Sequence, residues 1–509
     1  MTRVARRLAG IGADDLSNST EFDAYIGPPR EVTVDHLRGI LALHDGVTAG
    51  GKRFNAANDN GLNVKIFGAV GNDSTDNTAA FNAAIAAAST LGMSVFVPPG
   101  TYRVTSLGNI PPNVVIRGAG RALSKIRTTS ATLDVISIDG ANAGVHDLYI
   151  DASVVRSAGS FINITTNAST VDISHINMVG AFRGITIPSV ALVHLSHIDI
   201  LDTVATTGVS INVSGGFALI FDNIICRNDP AARPFAHLNI THVEDLMVSN
   251  SQFISAITDL NMAPGSGQAI GLFRSTNTQY DDADGPAIRI APTGTGKVNE
   301  VVIDAPWIKG GAIQDVLITN AGGGTVDTVS VLNALMTGSG IGIDAHGVAN
   351  IKLHNLAIGG HSTAISLVNV AGGIVQGNVI GPTGLYASND TGISMTGTTD
   401  RVAVTGNQLT GNTTPLTNTS SGGNNVIDGN VGYPAALGGA AITVGPSPFT
   451  YTSGASPEVV AINGGAVSVI AISGAPILQT TGHAISLAPN QNLTVTYSAT
   501  PAMVKFVGK

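Results

Sequence analysis

The feature that most constrains the fold of this chain is a six-residue pattern that recurs at short intervals. Each copy has an apolar residue, any residue, two turn-forming residues, any residue and a second apolar residue. Clear copies begin at Val145, Ile173, Leu195, Phe221, Val248, Ile303, Val331, Leu353, Val375 and Val404, and weaker copies begin at Val115 and Ile427. The interval between successive copies is that of one solenoid repeat, except from Val248 to Ile303, where it is nearly two repeats long. Short β-branched strands and Gly/Asn turns with this spacing are typical of the coils of a parallel β-helix.

The turn positions of the repeat predict stacked polar side chains. Asn223 and Asn250 occupy equivalent positions, as do Asn333 and Asn355, so we expect hydrogen-bonded ladders between coils. His175 and His197 take the same position one repeat apart, as two metal ligands could. No third ligand recurs there, so stacked turn residues are favoured over a metal site. A Leu-rich frame and a helical period are both absent from the segment, which excludes leucine-rich and helical repeats.

The position of the repeats divides the chain into three segments. Residues 1–60 contain short polar pieces and a strand-like stretch over 31–45 that turns at 36–39, followed by a linker. Residues 61–433 form the predicted solenoid, and a helix over about 77–90 is expected to cap its first strand edge. Residues 434–509 alternate apolar and polar residues with period two, which predicts a small antiparallel β domain.

Composition narrows the range of functions. Of the 509 residues, 25 are Lys or Arg and 34 are Asp or Glu, so the net charge is −9 and no basic stripe is present. Nucleic acid and anionic membranes are therefore not expected as partners. A long apolar run and a Sec-type signal are both absent, so no membrane insertion is expected. Cys226 is the single cysteine, and no phosphate loop, dinucleotide fingerprint or Gly-x-Ser-x-Gly elbow occurs.

Three stretches resemble a known family. The pieces LNVKIFGAVGNDSTDNTAAFNAAI, VFVPPGTYRV and VVIRGAG, all within residues 62–120, closely resemble the start of pectate-lyase-like right-handed parallel β-helix proteins, especially bacteriophage tailspikes. VTVDHLRGILALHDGVTAGG resembles virion-attachment segments, and ITVGPSPFTYTSGASPEVVAINGG is similar to a terminal β domain of such proteins. The implied fold is all-β: a right-handed parallel β-helix with an amino-terminal capping helix, a small attachment segment and a carboxy-terminal antiparallel β domain.

The resemblance also implies a biological setting. The protein would be a homotrimer of the virion, attached to the phage tail or baseplate through residues 1–60 and capped or trimerised through residues 434–509. It would be made in the host cytoplasm without a signal peptide and act at the bacterial surface. The expected activity is depolymerisation of a capsule, exopolysaccharide or O-antigen by an endo-acting glycoside hydrolase, without a cofactor. Two alternatives stay open, a non-catalytic receptor-binding adhesin and a polysaccharide lyase that acts by β-elimination.

Glycoside hydrolysis requires two carboxylates about 5 to 9.5 Å apart, one of them protonated. The fifth repeat position points outward and holds Tyr149, Asn177, Asp199, Ile225, Gln252 and Trp307 on successive copies. Asp199 is the one acid in that row and Asp202 follows it, so both are candidate catalytic residues. Arg227 and Asp229, one coil further, are candidate substrate-binding residues. The competing interpretation is that all four are ordinary solvated turn residues.

The long interval between the copies at Val248 and Ile303 is a second candidate, because function concentrates where a loop departs from a rigid scaffold. Its candidate residues are the catalytic carboxylates Asp281 and Asp282 and the sugar-binding residues Arg274, Tyr280 and Arg289. A solvated loop is one alternative. A structural Ca²⁺ near residues 281–284 is another, because the stretch DDADG is rich in hard oxygen ligands.

The stretch over residues 228–245 adds three candidates. Glu244 is assigned as a catalytic acid, and Arg233 and His237 are assigned to substrate binding. A lyase would use a base together with a cation that neutralises a uronate carboxylate, for which Arg227 or Arg233 with His237 or Lys309 would serve. Trp307, the sole tryptophan, is predicted either to stack on a sugar or to pack against a neighbouring subunit.

Overall fold

The computed structural model describes residues 19–35, 40–55, 61–311, 313–382, 387–433, 439–454, 457–478 and 480–507. It divides into two compact units, residues 1–179 and 180–509. The described residues are almost entirely β-strand, with α-helices Ser19–Ala24 and Thr78–Leu91 and a 3-10 helix Val64–Phe67. The turn predicted at 36–39 lies outside the described residues. No helix among the described residues has both the length and the apolar character needed to cross a bilayer.

A small antiparallel sheet lies near the amino terminus, within the predicted attachment segment. Its strands are Val32–Asp35, Ile40–Leu43 and Lys52–Asn55. The ring of His44 is buried, with Nδ1 accepting a hydrogen bond from the Gly27 amide at 3.0 Å and Nε2 lying 2.9 Å from the Thr33 hydroxyl. Both ring nitrogens are therefore used to hold the chain around this sheet.

The helix Thr78–Leu91 lies within one residue of its predicted bounds. Asp76 accepts hydrogen bonds from the amide and hydroxyl of Thr78, and Gly92 ends the helix in a left-handed conformation with φ of +64°. Phe81 and Ile85 are buried against the first strands of the unit. This packing fits the capping role expected for the helix.

Above that helix, the first unit continues as parallel coils. The strands of its long-stranded sheet are Leu62–Asn63, Asn72–Asp76, Val95–Val97, Gly100–Val104, Val115–Gly118, Ser124–Thr128, Gly144–Ala152 and Ser169–Val179. A second sheet has the short strands Asn109–Ile110, Ile136–Ile138 and Ser160–Ile164. The starts of two repeat copies, Val145 and Ile173, are directly paired.

The second unit is also built from parallel coils with two sheets. Sheet one has the strands Ala191–Leu201, Phe217–Arg227, Val243–Ser249, Gln252–Ile254, Ala269–Thr276, Gln279–Asp281, Lys297–Asp304, Trp307–Ile308, Thr325–Leu332, Leu335–Thr337, Val348–His354, Ala357–Gly359, Gly373–Gln376, Val379–Ile380, Val402–Thr405 and Val426–Asp428. Sheet two has the strands Arg183–Ile187, Val209–Val213, Ala236–Ile240, Thr258–Met262, Ile288–Ile290, Gln314–Thr319, Ile341–His346, Thr363–Val368, Thr391–Thr396 and Thr414–Asn418. The predicted parallel β-helix is confirmed.

The repeat register holds through sheet one, with one correction. Leu195, Phe221 and Val248 pair in sequence and are buried, as the pattern predicts. The expectation that a loop replaces or lengthens one coil in the long interval is wrong, because Ser275 pairs with Val248 on one side and with Ile303 on the other. The interval contains two regular coils. The hidden copy escapes the pattern because its first residue is polar, and the buried Ser275 hydroxyl lies 2.8 Å from the Tyr280 hydroxyl.

Asparagine residues make the tight turns of the coils. Asn250, Asn277, Asn333 and Asn355 all have φ between +50° and +54°, which asparagine tolerates better than most residues. The Asn355 amide donates to Asn333 at 2.7 Å, as the predicted ladder requires. The Asn250 amide instead donates to Asp222 at 2.9 Å, so a carboxylate replaces the expected partner Asn223. His175 and His197 share the same left-handed conformation, each with φ of +55°.

The carboxy-terminal residues form two antiparallel sheets, in keeping with their period-two alternation. One sheet has the strands Ala440–Ile442, Ala502–Val507, Glu458–Asn463 and His483–Leu487, and the other has Phe449–Thr452, Asn492–Ala499, Ala466–Ile472 and Ala475–Leu478. Val460 from the first and Leu493 from the second belong to one shared apolar core.

Candidate functional site

The outward face of sheet two carries an aligned row of polar side chains. Along each strand the side chains alternate, so that Ile211 and Val213 are fully buried while Asn212 between them is partly exposed. The strand register places one such residue from each coil in a line, which we call the central row: Thr186, Asn212, Asn239, Asn261, Arg289, Leu317, Asp344, Ser366, Ser394 and Thr417. All but Leu317 are polar. Asn261 and Asp344 are buried, and the other members of the row are partly exposed. Parallel sheets usually bury both faces, so a polar outer face marks a surface suited to a polar ligand.

Three amide side chains of the central row form a continuous ladder that ends on Arg289. Asn239 donates to Asn212 at 2.8 Å, and Asn261 donates to Asn239 at 2.7 Å. Each side-chain oxygen therefore faces the next coil. At the end of the ladder, Nη1 of Arg289 donates to Oδ1 of Asn261 at 2.9 Å. The ladder fixes the guanidinium on the face of the sheet.

Two coils beyond Arg289, the central row carries a carboxylate that holds a histidine. Oδ1 of Asp344 lies 2.7 Å from Nε2 of His346, and Gln314 donates to the other carboxylate oxygen at 3.3 Å. The Asp344 side chain is only 8% exposed, whereas that of His346 is 39% exposed. A carboxylate that orients an accessible imidazole is the arrangement used to position a general base or acid.

A second polar cluster lies at the turns that lead into sheet two. Arg233 forms an ion pair with Asp282 at 3.0 Å and also donates to the Asp282 backbone carbonyl. The Ser255 hydroxyl donates to the same carboxylate at 2.8 Å. These contacts join two predicted site residues from different parts of the sequence, Arg233 and Asp282, which lie in turns two coils apart.

Two further carboxylates complete this turn cluster. Asp259 is fully buried, and burial raises the pKa of its carboxyl well above the usual value, with the nearby charge of Asp281 adding to the effect. The Ala256 amide donates to Oδ1 of Asp259 at 3.2 Å and opposes the rise. Among the described residues, Oδ2 of Asp259 and Oδ1 of Asp281 are buried without a hydrogen-bond partner. A carboxyl group with a raised pKa close to other carboxylates suits acid/base chemistry, but Asp259 has no surface open to a ligand.

Two predicted substrate-binding residues lie in the interior, and these assignments need correction. His237 belongs to a strand of sheet two rather than to a loop, and its ring nitrogens bond the Ser210 hydroxyl at 2.9 Å and the Ile254 carbonyl at 2.7 Å. Burial lowers its pKa to about 4. Tyr280 is fully buried and stacks on Phe253 with ring centroids 5.6 Å apart. Neither side chain can contact a polysaccharide in this structure, because the register turns both away from solvent.

The predicted catalytic residues Asp199, Asp202 and Glu244 lie on strands of sheet one or in its turns. Asp199 is partly exposed and pairs with Ile225 in sheet one, and Asp202 is exposed in the left-handed turn after that strand. Glu244 is exposed near the start of another strand of sheet one. That strand lies two coils beyond the one that Asp202 follows, so Asp202 and Glu244 are not brought together.

The other predicted residues are exposed on sheet one or in its turns. Arg227 ends the strand Phe217–Arg227, and Asp229 holds the following turn by accepting from the Ala231 amide at 2.9 Å. Arg274 pairs with Met247 and Val302, on the other sheet from Arg289.

The predicted outward row of sheet one is present in the second unit, with Gln279 inserted between Gln252 and Trp307. Trp307 is half-exposed and lies beside Leu335.

Comparison with known proteins finds a family similarity over part of the solenoid. Residues 61–263 match the family model described as rhamnogalacturonase A/epimerase, pectate lyase-like. Over these residues the chain is similar to pectate-lyase-like proteins. A mutant tailspike protein of Escherichia coli bacteriophage HK620, solved in complex with a pentasaccharide, is similar to this chain with a TM-score of 0.54 at 10% identity, over 89% of this chain and 94% of that one. At this identity the likeness concerns the fold alone.

Two curated relatives match shorter segments of the chain. It is 45% identical to the pre-neck appendage protein of Bacillus phage B103 over 60 residues, which are 12% of this chain and 6% of that protein. It is 33% identical to the mannuronan C5-epimerase AlgE6 of Azotobacter vinelandii over 107 residues, which are 18% of this chain and 12% of the epimerase. The chain thus spans only a small part of the length of either relative.

Two Asp–His pairs that involve residues of sheet two were not predicted from the sequence, Asp344–His346 and one buried pair. In the buried pair, Oδ2 of Asp315 lies 2.8 Å from Nε2 of His361, and both side chains are almost fully buried. Burial raises the pKa of Asp315, while the His361 hydrogen bond lowers it. Neither pair belongs to a recurring sequence motif. Only the strand register, which places Asp344 in the same row as Arg289, could have indicated a site at Asp344. No group of three or more metal-ligating side chains was found in the described part of the chain.

Proposed function

We propose that this chain is a phage tail protein that binds a bacterial surface polysaccharide along the central row and cleaves its glycosidic bonds. The tailspike-like fold and the segment related to a phage appendage protein support the setting in a virion. The match of residues 61–263 to a pectate-lyase-like family model supports a polysaccharide as the ligand. Attachment to the tail or baseplate through the amino-terminal segment, and assembly as a homotrimer, belong to the same proposal.

The central row is the observation that best supports a polysaccharide as the ligand. Its members lie on consecutive strands of sheet two, from Thr186 to Thr417. At about 4.8 Å per strand, the row is about 43 Å long. Its amide, hydroxyl and charged groups offer many donors and acceptors in a straight line, and sugar hydroxyls need such partners along a chain. An elongated polymer uses this surface better than a small metabolite does.

Two groups of residues could supply the chemistry of cleavage. In one, the accessible imidazole of His346 acts as a proton-transfer group held by Asp344. In the other, Asp281 and Asp282 act as the carboxylates at the turns that flank sheet two, as their sequence suggested. A β-eliminating lyase would use the imidazole as base and Arg289 to neutralise a uronate carboxylate. The two mechanisms give different products.

The decisive experiment incubates the purified protein with capsule, exopolysaccharide and lipopolysaccharide preparations from candidate hosts. New reducing ends without absorbance at about 232–235 nm indicate hydrolysis, and both signals together indicate a lyase. Three variants are tested, Asp344→Asn, Asp281→Asn and Asp282→Asn. We expect at least one of them to lower the rate of polysaccharide cleavage by about 100-fold or more, the scale of losing a general acid or base. Asp327→Asn, an exposed carboxylate of sheet one, is the matched control. Full activity in all three variants would place the catalytic residues elsewhere.

A receptor-binding protein without catalysis is the second candidate function. The placement of Asp202 and Glu244 favours it. Glu244 lies at the start of its strand and Asp202 follows the end of a strand two coils earlier, so these two acids do not form the close pair that hydrolysis requires. In that case the polysaccharide is retained by the protein and neither product signal appears.

The outward face of sheet one supports the trimer. Ile220, Met247, Trp307 and Leu335 expose between 46% and 52% of their surface on this sheet. Aromatic and apolar residues in one exposed region are typical of protein interfaces. Light scattering of the purified chain should then give about three times 51.5 kDa, whereas a mass near 51.5 kDa would exclude the trimer.

A further inference from the structure

Arg289 is a half-buried cation for which the described residues provide no counter-charge. Its one protein hydrogen bond among those residues goes to the neutral amide of Asn261. A guanidinium has five N–H donors, so most of its hydrogen-bonding capacity is left for other partners. Arg233, a partly buried arginine in the turns that lead into sheet two, is paired with Asp282. The two arginines therefore differ in what compensates their charge.

Partial burial of the Arg289 guanidinium is unfavourable unless a negatively charged partner compensates its charge. Burial lowers the pKa of Arg289, and no neighbouring charge contributes to the shift. Charged groups in proteins are rarely desolvated without an ion pair. The amide ladder alone does not require an arginine here, because an asparagine at this position would continue the ladder with a smaller desolvation cost. The guanidinium is therefore best explained by a ligand that carries negative charge.

The position of Arg289 indicates where that ligand lies. It occupies the central row between Asn261 and Leu317, and Asp344 follows Leu317 on the next strand. At about 4.8 Å per strand, the backbones of Arg289 and Asp344 are about 10 Å apart along the row. A group bound by Arg289 would thus lie on the same line as the Asp344–His346 pair.

We propose that Arg289 binds an oxyanion of the polysaccharide, a carboxylate or a phosphate, so that the ligand of this protein is an acidic glycan and not a neutral one. This inference rests on the proposed function and specifies its substrate class. The planar guanidinium matches carboxylate and phosphate geometry, and the amide ladder holds it in place before the ligand arrives. Pre-organisation of this kind reduces the cost of ordering a long side chain on binding.

The test uses a panel of purified bacterial polysaccharides in three sets, carboxylate-bearing, phosphate-bearing and neutral. Dissociation constants are measured for wild type, Arg289→Asn, Arg289→Lys and the control Lys352→Met, which removes an exposed cation from sheet one. Arg289→Asn keeps the amide ladder while it removes the charge, so its melting temperature should stay close to that of wild type. For every carboxylate-bearing polysaccharide that binds, the carboxyl-reduced form is measured as well.

We expect wild type to bind members of an acidic set, with Arg289→Asn weakening binding by about 10- to 100-fold, the scale of losing a charge-assisted hydrogen bond. Arg289→Lys should recover part of the loss and Lys352→Met should change little. If the carboxylate is the bound group, chemical reduction of the polysaccharide carboxyl groups weakens binding by wild type but does not change binding by Arg289→Asn. Equal affinity of wild type for neutral and acidic polysaccharides, or unchanged binding by Arg289→Asn, would refute the role of Arg289 while leaving the proposed function intact. Binding of no polysaccharide at all would refute both.

Discussion

A buried asparagine ladder in the last coils offers a stringent test of what holds the solenoid together. Oδ1 of Asn407 accepts from the backbone amide of Asn378 at 3.1 Å and from its side-chain amide at 2.9 Å. Nδ2 of Asn407 donates to the Val375 carbonyl at 2.9 Å and to Oδ1 of Asn430 at 2.8 Å. The Asn407 side chain is fully buried, so water cannot replace these bonds.

Replacing Asn407 by alanine removes all four bonds. The Asn378 backbone amide loses the partner described above, whereas Oδ1 of Asn430 keeps the Asn407 backbone amide at 3.0 Å. Each intramolecular hydrogen bond contributes about 0.5–1.5 kcal/mol net. We therefore expect a loss of about 2–6 kcal/mol, larger than the roughly 1 kcal/mol of a typical substitution.

Hydrogen exchange measured by mass spectrometry is the suitable assay, because it reports local opening without requiring reversible unfolding of the whole chain. Where exchange follows the opening equilibrium, a loss of about 2–6 kcal/mol corresponds to about 30-fold to 10⁴-fold faster exchange. The change should appear in peptides that contain the strands Gly373–Gln376 and Val402–Thr405. Asn350→Ala is the control, since Asn350 is exposed and makes one long bond to Asp327 at 3.4 Å. Equal exchange in both variants would show that the buried ladder contributes no more than a surface amide.

Three further predictions concern the core, the pH dependence and the assembly. Ser275→Val should destabilise the protein by about 1–3 kcal/mol because it leaves the buried Tyr280 hydroxyl without its partner, and adding Tyr280→Phe should recover most of the loss in urea unfolding. The folded-state pKa of His237 is about 4, below its unfolded value of about 6.5, so its contribution to stability is complete above about pH 6.5 and is lost as the pH falls toward 4. Urea midpoints measured between pH 7 and pH 4 should therefore fall, and should fall less in His237→Gln. Replacing Trp307 by lysine should lower the mass measured by light scattering from that of a trimer toward 51.5 kDa, and an unchanged trimer would exclude this part of sheet one as the interface.

Local repetition is the part of this molecule that sequence alone could establish. Each coil of a parallel β-helix needs apolar residues at the same positions and turn residues between them, so Leu195, Phe221 and Val248 could be aligned by their spacing in the chain. The helix Thr78–Leu91 and the terminal antiparallel sheets were predicted for the same reason, because their periodicity and their end signals lie within a few residues. These features depend on near neighbours in the chain.

The candidate site depended on tertiary structure, because coils of unequal length do not reveal which side chains they align. A single polar residue, Ser275, concealed a regular coil and made buried Tyr280 look like part of a loop. His237 was sought on the surface, yet its strand register places it in the interior. Arg289 was identified from its sequence, but its amide ladder and its line with Asp344 arise from strand pairing across successive coils. Contacts between residues this far apart are set by the length of every turn between them, which composition and motif cannot specify.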